Sequence, residues 1–441
     1  MTVSVSRLQA ARRGSLAGEA AAPGDKSISH RALIFGALAA GETVVSGLLE
    51  GHDVLRTAAA MRALGAGVER DLTDEGPIWR IEGAKWRDTE RPLYFGNSGT
   101  GCRLVLGAAA GQGVAARFDG DQSLRSRPMQ RISEPLVLMG AMIVTEAGRL
   151  PVDLSPAALR GILYRLPVAS AQIKSAVLLA GLGAGGETVV VEPALSRDHT
   201  ERMLKAFGAE LKVEQDGGGR RIRLQGGQRL KAARVEVPGD PSSAAFLVAA
   251  ATIVPGSDVL VRNVLINPLR AGFFETLSEM GANISFENRR DLSGEPVADI
   301  RARHAALKGV AVPASRAASM IDEYPILSVV AAFASGETRM DGIEELRVKE
   351  SDRLAAIEVG LKANGVATAS GPDWLIVSGA SGAVRGGANV ATHLDHRIAM
   401  SFLVMGLASQ RPVSIDDASM IATSFPEFAP LMQGLGAMIA P

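Results

Sequence analysis

The chain is short of most features that advertise a particular chemistry. It holds one cysteine, Cys102, so no disulfide can close within it, and a reducing compartment is the expectation. Cys102 itself reads as a buried thiol at a helix start. Aromatic residues make up 4% of the chain, so any core must be packed with aliphatic side chains. Neither charge prevails: 47 Lys and Arg stand against 47 Asp and Glu, which argues against a broad nucleic-acid surface. The longest apolar run, A-A-F-L-V-A-A-A-T-I-V at 244–254, falls well below the roughly 20 residues a bilayer span needs. The opening residues have no apolar centre of signal-peptide type. A cytoplasmic protein with neither membrane nor nucleic-acid partners is expected. The six histidines are scattered. H-L-D-H at 393–396 lacks the further ligands a metal needs, so no metal is expected. No G-x-G-x-x-G follows a strand, which gives no sign of a dinucleotide cofactor. P-G-D-K-S at 23–27 contains the pieces of a phosphate loop, yet Asp25 splits glycine from lysine and no G-x-x-x-x-G-K-[ST] can be drawn.

What is present is repetition. A chain of 441 residues exceeds one core, so two domains are expected. Six small-residue apolar segments, from Ser29, Gly99, Ser170, Ser242, Glu323 and His396, each read as a helix leading to a short β-branched strand. Each is followed by a second amphipathic segment that closes on a glycine: Gly65, Gly140, Gly208, Gly281, Gly365 and Gly436. These sit where a helix C′ residue turns left-handed. The unit recurs every roughly 70–85 residues, longer than solenoid repeats and suited to a compact βαβαββ unit. P-G-D-K-S at 23–27 returns as P-G-D-P-S at 238–242, which implies two similar halves of three units. The break is expected near the glycine- and arginine-rich stretch 216–231, and 288–296 reads as an exposed excursion inside the second half. Because Lys26 becomes Pro241 in the matched pair, the turn does not need the lysine.

Polar residues gather at the helix starts: Lys26 to Ser29, Asn97 to Thr100, Ser170 to Gln172, Ser242 and Ser243, Asp322 and Glu323, Asp395 to Arg397. Capping accounts for Ser, Thr, Asn and Asp. It does not account for Lys26, Arg31 or Arg397, because cations oppose the macrodipole there; an anion bound among the free N–H groups would. Arg125 and Arg127, before a proline that can open a helix, and Lys349, Glu350 and Arg353 in R-V-K-E-S-D-R serve the same end. Lys349 and Arg353, four apart, are expected on one helix face with Glu350 turned aside. Lys26, Arg31, Arg127, Lys349, Arg353 and Arg397 thus make six cations with few acids nearby, a set suited to more than one anionic group. Lys174 follows Gln172 inside an apolar helix.

Eight motifs now stand in order along the chain: P-G-D-K-S-I-S-H-R-A, F-G-N-S-G-T-G-C-R, D-x-S-L-x-x-R-P-M, S-A-Q-I-K-S-A, P-G-D-P-S-S-A-A-F, I-D-E-Y-P-I-L, R-x-K-E-S-D-R and D-H-R-I-A-M. Together they resemble the signatures of the EPSP synthase family, 3-phosphoshikimate 1-carboxyvinyltransferases, and most closely its class II bacterial members. The resemblance implies an α/β fold of two similar domains, each of three βαβαββ repeats, an inside-out α/β barrel with helix starts pointing into an interdomain cleft. It places residues 15–235 in the first domain, on the shikimate 3-phosphate side, and 1–14 with 236–441 in the second, which would carry the catalytic aspartate and part of the phosphoenolpyruvate (PEP) site.

It implies a monomeric transferase that moves the carboxyvinyl group of PEP to shikimate 3-phosphate in the shikimate pathway towards chorismate and aromatic amino acids, without a cofactor. Carried over by motif, Lys26, Ser27, Arg31, Ser170, Gln172, Asp322 and Lys349 would hold shikimate 3-phosphate. Lys26, Gly99, Arg127, Gln172, Arg353 and Arg397 would line the PEP site. Asp322 would be the base near the 5-hydroxyl, Glu350 the group for proton transfer at the PEP methylene, and Lys26 would touch both substrates. Gly99, without a Cβ, would leave room for PEP analogues such as glyphosate. One departure is plain: where many members carry a lysine, A-T-S-F-P places Thr423. UDP-N-acetylglucosamine enolpyruvyl transferase is the nearest alternative, but its family's reactive cysteine is missing from Q-S-L-R-S-R-P. An RNA 3′-phosphate cyclase or a non-catalytic anion-binding repeat protein stand further off.

Overall fold

The small-residue segments fold as six helices in the computed structural model, which describes residues 7–74 and 76–441: Lys26–Leu38, Gly99–Gln112, Ala171–Gly183, Pro241–Ile253, Tyr324–Phe333 and His396–Ala408. Nearly all their residues are buried. Alanine and glycine serve here because backbones must approach. A Cβ on Gly107 would lie 2.4 Å from Ala176 O, and one on Gly111 2.8 Å from Ala180 O. The Gly99 and Ala171 helices therefore pack almost backbone to backbone, which larger side chains would prevent. Cys102 lies wholly buried in this packing, and burial raises its thiol pKa to about 12, so it is no nucleophile.

The chain divides into two units. One comprises Gly24–Val237 with the turn Leu292–Glu295; the other comprises the described residues up to Pro23, Pro238–Asp291 and Pro296–Pro441. Residues 1–6, expected in the second domain, lie outside the described residues. Each unit holds three four-stranded sheets of one pattern. In the Gly24–Val237 unit, Glu42–Ser46 lies between a parallel neighbour, Arg234–Glu236, and an antiparallel one, Gly76–Glu82, which pairs on to Gly67–Thr73. Ala116–Asp119 and Glu187–Glu192 repeat the arrangement.

In the other unit, Asp258–Leu265 takes Ala17–Ala21 as its parallel neighbour and Ser335–Asp341 takes Ala311–Val312. Val413–Ile415 takes Asn389–Val390, and its antiparallel partner is Leu8–Ala11, which pairs on to Met438–Ala440. The βαβαββ unit read from the sequence is therefore present six times. The six closing glycines all have positive φ, from 82° at Gly208 to 113° at Gly65, a region costly for residues with a Cβ.

The break expected near 216–231 falls just after it, between Val237 and Pro238; within the stretch, Gly219–Gln225 is a strand paired on both sides, with Arg221 and Arg223 facing Glu187, Glu214 and Asp216. The excursion at 288–296 is the tip of a hairpin, Asn283–Leu292 and Glu295–Arg303, exposed over most of its length as expected, with Glu295 buried. No helix among the described residues is long and apolar enough to cross a membrane.

Candidate active site

Each unit brings its own group of predicted residues together. In the Gly24–Val237 unit, Asp25 caps the Lys26 helix by accepting from Ile28 N at 2.8 Å, which fixes the direction of the first turn. Lys26 is ion-paired to Asp53, at the start of the following helix. One turn on, Arg31 is almost fully buried. It donates from Nε to Thr200 Oγ1 at 2.8 Å, from Nη2 to Ser175 Oγ at 2.7 Å, and from Nη1 to the carbonyl of Ser27 at 2.9 Å. Burial lowers its pKa to about 10, against Glu201 and Asp25, which favour the charged form; Arg197 adds a like charge. Arg31 thus stays a cation at neutral pH, gripped by neutral oxygens. His30, beside it, is pushed well below its usual range by burial and then by Lys26 and Arg31, so it is neutral there; its Nδ1 pairs with Thr57 Oγ1 at 2.8 Å.

Ser170 caps its helix at the limit of hydrogen-bonding distance, 3.5 Å from Ile173 N. Gln172 bridges two helices: its Oε1 accepts from Arg103 Nη1 at 2.9 Å and its Nε2 donates to Thr100 Oγ1 at 3.0 Å. Arg103 Nη2 reaches the carbonyl of Pro128 at 3.2 Å. Arg127 is buried and donates to Asn97 Oδ1 and, at 3.1 Å, to Ser123 Oγ. Gly99 lies under both guanidiniums: a Cβ there would sit 3.0 Å from Arg103 Nη1 and 3.1 Å from Arg127 Nη1. Arg125 does not join this group. Its guanidinium is exposed and engaged with Asp119.

In the other unit the residues gather round Asp322. Arg353 Nη1 donates to Asp322 Oδ1 at 3.2 Å, Lys349 Nζ stands 3.7 Å from the same oxygen, and Arg397 Nη1 donates to the Asp322 carbonyl at 3.1 Å. Arg353 is fully buried; burial opposes its charge, but Asp395, Glu350 and Asp322 together raise its pKa. Its Nε donates to Asp395 Oδ2 at 2.8 Å, and Asp395 also caps the His396 helix through Arg397 N at 2.9 Å. Arg397 lies 3.7 Å from Glu323 Oε1.

The expected helix face for Lys349 and Arg353 does not exist, because the helix starts at Arg353 and Lys349 closes a separate 3₁₀ turn, Glu344–Val348, before it. Nor is Glu350 turned aside; it pairs directly with Arg353. The idea of cations with few acids is also overturned: Asp53, Glu201, Asp322, Glu323, Glu350 and Asp395 accompany them. Thr423, at the place of the family lysine, turns its hydroxyl onto the Met420 carbonyl at 2.7 Å and brings no charge.

Sequence reasoning missed Arg103, Asp53 and Arg197. Arg103 was legible, since it lies four residues after Gly99 on the same helix face. Asp53 opens a different helix and Arg197 a connecting loop, and nothing in the spacing ties either to Lys26 or Arg31. Chemically, the two groups offer fixed cations, a carboxylate among them, and an amide: a set able to hold polyanions and move a proton.

Comparison with known proteins gives one consistent result. The family model described as EPSP synthase (3-phosphoshikimate 1-carboxyvinyltransferase) matches residues 11–432. Proteins named 3-phosphoshikimate 1-carboxyvinyltransferase from Parvibaculum lavamentivorans and Phenylobacterium zucineum are each 58% identical over 437 residues. These alignments cover 98% and 99% of this chain, and 97% and 96% of the relatives. A solved EPSP synthase from Acinetobacter baumannii superposes with a TM-score of 0.86 at 42% identity, covering 99% of this chain and 100% of that one. The enolpyruvyl transferase NikO from Streptomyces tendae, at 18% identity and a TM-score of 0.79, shares the fold.

Proposed function

The chain belongs to the EPSP synthase family, and on that premise we propose how its residues divide the work of moving the enolpyruvyl group of PEP to the 5-hydroxyl of shikimate 3-phosphate. The reaction is an addition followed by an elimination. The 5-hydroxyl attacks C2 of PEP as C3 gains a proton; the tetrahedral adduct then loses a proton from C3 and expels phosphate with cleavage of its C–O bond. Phosphorus is not attacked, so the chemistry calls for no Mg²⁺ clamp and no cofactor.

Arg31, Ser27, Ser170, Gln172 and Lys349 hold shikimate 3-phosphate. Gly99, Arg127, Gln172, Arg353 and Arg397 hold PEP, and Lys26 touches both. Asp322 takes the proton of the 5-hydroxyl and Glu350 serves the PEP methylene. The unit Gly24–Val237 carries most of the residues for the acceptor, and the other unit carries the base and Lys349. The protein works as a cytoplasmic monomer on small molecules alone.

The observation that supports this most is the setting of Asp322. Lys349 and Arg353 hold its carboxylate oxygen and Arg397 its carbonyl, which aims the carboxylate, as a general base must be aimed. The test is release of phosphate from PEP that depends on shikimate 3-phosphate. Asp322→Asn should bind both substrates yet lose about 10²–10⁴-fold in kcat. A normal kcat in that variant removes the assignment, and release without shikimate 3-phosphate removes the function. UDP-N-acetylglucosamine should not replace the acceptor.

A further inference from the structure

The Ala171 helix buries one charged residue, Lys174, whose side chain has no exposed surface. Lys174 Nζ lies 2.7 Å from Glu201 Oε1, 3.0 Å from Glu192 Oε2, and donates to the carbonyl of Ser196 at 3.4 Å. Ser196 Oγ in turn donates to Glu192 Oε2 at 2.7 Å. Glu192 ends a strand, Ser196 lies in the loop that follows, and Glu201 belongs to the helix His199–Ala206. One ammonium therefore ties three successive segments to the Ala171 helix.

The neighbours of this ion cluster hold Arg31. Ser175 follows Lys174 and Thr200 precedes Glu201; their hydroxyls share a hydrogen bond of 2.7 Å, and each accepts from Arg31. Arg31 is thus gripped by neutral oxygens one residue away from a carboxylate. Glu192 Oε1 and Glu201 Oε2 are buried without a hydrogen-bond partner among the described residues, so Lys174 supplies most of the compensation for two negative charges. Filling the space would need only methionine or leucine, since buried ion clusters are poor stabilisers compared with apolar packing. What an apolar residue could not do is cancel Glu201, whose field would otherwise oppose a phosphate arriving at Arg31.

We propose that Lys174 is a positioning residue for the phosphate end of the acceptor: it neutralises Glu192 and Glu201 and pins the Ser196 loop, so that Arg31 presents its full charge in one orientation. The inference rests on the reading of Arg31 as a shikimate 3-phosphate ligand.

Steady-state kinetics with shikimate 3-phosphate and PEP varied separately test it. Lys174→Met should raise KM for shikimate 3-phosphate about tenfold while KM for PEP stays within about twofold. Glu201→Gln alone, which removes the opposing charge, should lower KM for shikimate 3-phosphate about threefold. Adding Glu201→Gln to Lys174→Met should recover much of the lost affinity. A cluster that merely holds the fold predicts the reverse: Glu201→Gln would then weaken both substrates together, and that result, or no change at all, overturns the proposal. If Lys174→Met does not fold, Glu201→Gln decides alone. Arg31→Lys separates the two levels. Should it leave KM for shikimate 3-phosphate unchanged, the reading of Arg31 fails; should it raise that KM while the Lys174 and Glu201 variants leave it untouched, only the present inference fails.

Discussion

Two helix starts share P-G-D-x-S and have come to opposite ends. At Lys26, Asp25 caps the helix, the lysine side chain keeps some exposure beside Asp53, and Arg31 is held by hydroxyls. At Pro241, Asp240 caps the helix in the same way, accepting from Ser242 N at 2.8 Å. There the surroundings are filled by the protein itself. Arg270, buried, donates to Asp240 Oδ1 at 3.2 Å and to Ser242 Oγ at 2.9 Å, and Ser242 bonds to Glu323. The second start is closed by buried Arg270 and Glu323, where the first holds a partly exposed lysine beside Asp53. The cap is what the turn requires; the neighbouring charges decide whether the turn becomes a site.

The sharpest way to break this comparison is to exchange the distinguishing residue. Lys26→Met should raise KM for both substrates by about 10–100-fold, the worth of charge-assisted hydrogen bonds, and should also lower thermal stability, because buried Asp53 loses Lys26 as an ion-pair partner. Pro241→Lys should leave both KM values alone. It should cost about 2–3 kcal/mol of stability in denaturant titration, because a second buried cation arrives beside Arg270. Substrate affinity gained at Pro241→Lys would show that the two starts are not so different.

Removing the shared cap should separate them next. Asp25→Ala loses one helix cap, about 1 kcal/mol. Asp240→Ala loses the cap and also strips a partner from buried Arg270, which should cost about 3 kcal/mol. Equal losses would mean that the Arg270 cluster contributes nothing.

A smaller effect concerns the open character of the first unit's helix starts. Gly99→Ala places a methyl group 3.0–3.1 Å from the Arg103 and Arg127 guanidiniums, which must give by a few tenths of an ångström. Inhibition by glyphosate should weaken about tenfold or more, with KM for PEP changing less, since binding of a bulkier analogue depends more on the lost space. An unchanged inhibition constant counts against Gly99 lining the site.

The smallest effect is on pH dependence. His30 has its folded pKa held well below the ordinary 6.5, so the unfolded chain takes up a proton first as pH falls. This group therefore costs stability progressively below about pH 6.5, by at most 1.4 kcal/mol per pH unit. His30→Gln should flatten the decline of the melting temperature between pH 6.5 and 5 relative to the parent. An identical slope would mean that His30 is protonated in the folded state.

The sequence made some of this legible and not the rest, for physical reasons. Helix starts and closing glycines were readable because capping and left-handed turns are local. The six-fold repeat followed from them, and the family motifs located Asp322, Arg353 and Arg397. The pairing of acids with these cations was not readable. Asp53 reaches Lys26 from another helix, Glu201 reaches Arg31 from a third, and Asp395 reaches Arg353 across 42 residues. Such pairs are products of tertiary packing. Glu350 was misjudged because a helix was assumed across a stretch where a 3₁₀ turn ends and the helix has not yet begun, so the spacing rule was applied one turn too early. Thr423 was noticed as a departure, and its hydroxyl is spent on its own turn.

The strands Leu8–Ala11 and Ala17–Ala21 carry a consequence for synthesis. Leu8–Ala11 pairs with Val413–Ile415 and Met438–Ala440, and Ala17–Ala21 with Asp258–Leu265. They leave the ribosome well before their partners and must wait for them, while the continuous stretch from Gly24 to Val237 can collapse as it emerges. The sheet built on Leu8–Ala11 closes only once Met438–Ala440 clears the exit tunnel, so a nascent chain stalled shortly before Met438 would carry one finished unit and one with an unsealed edge.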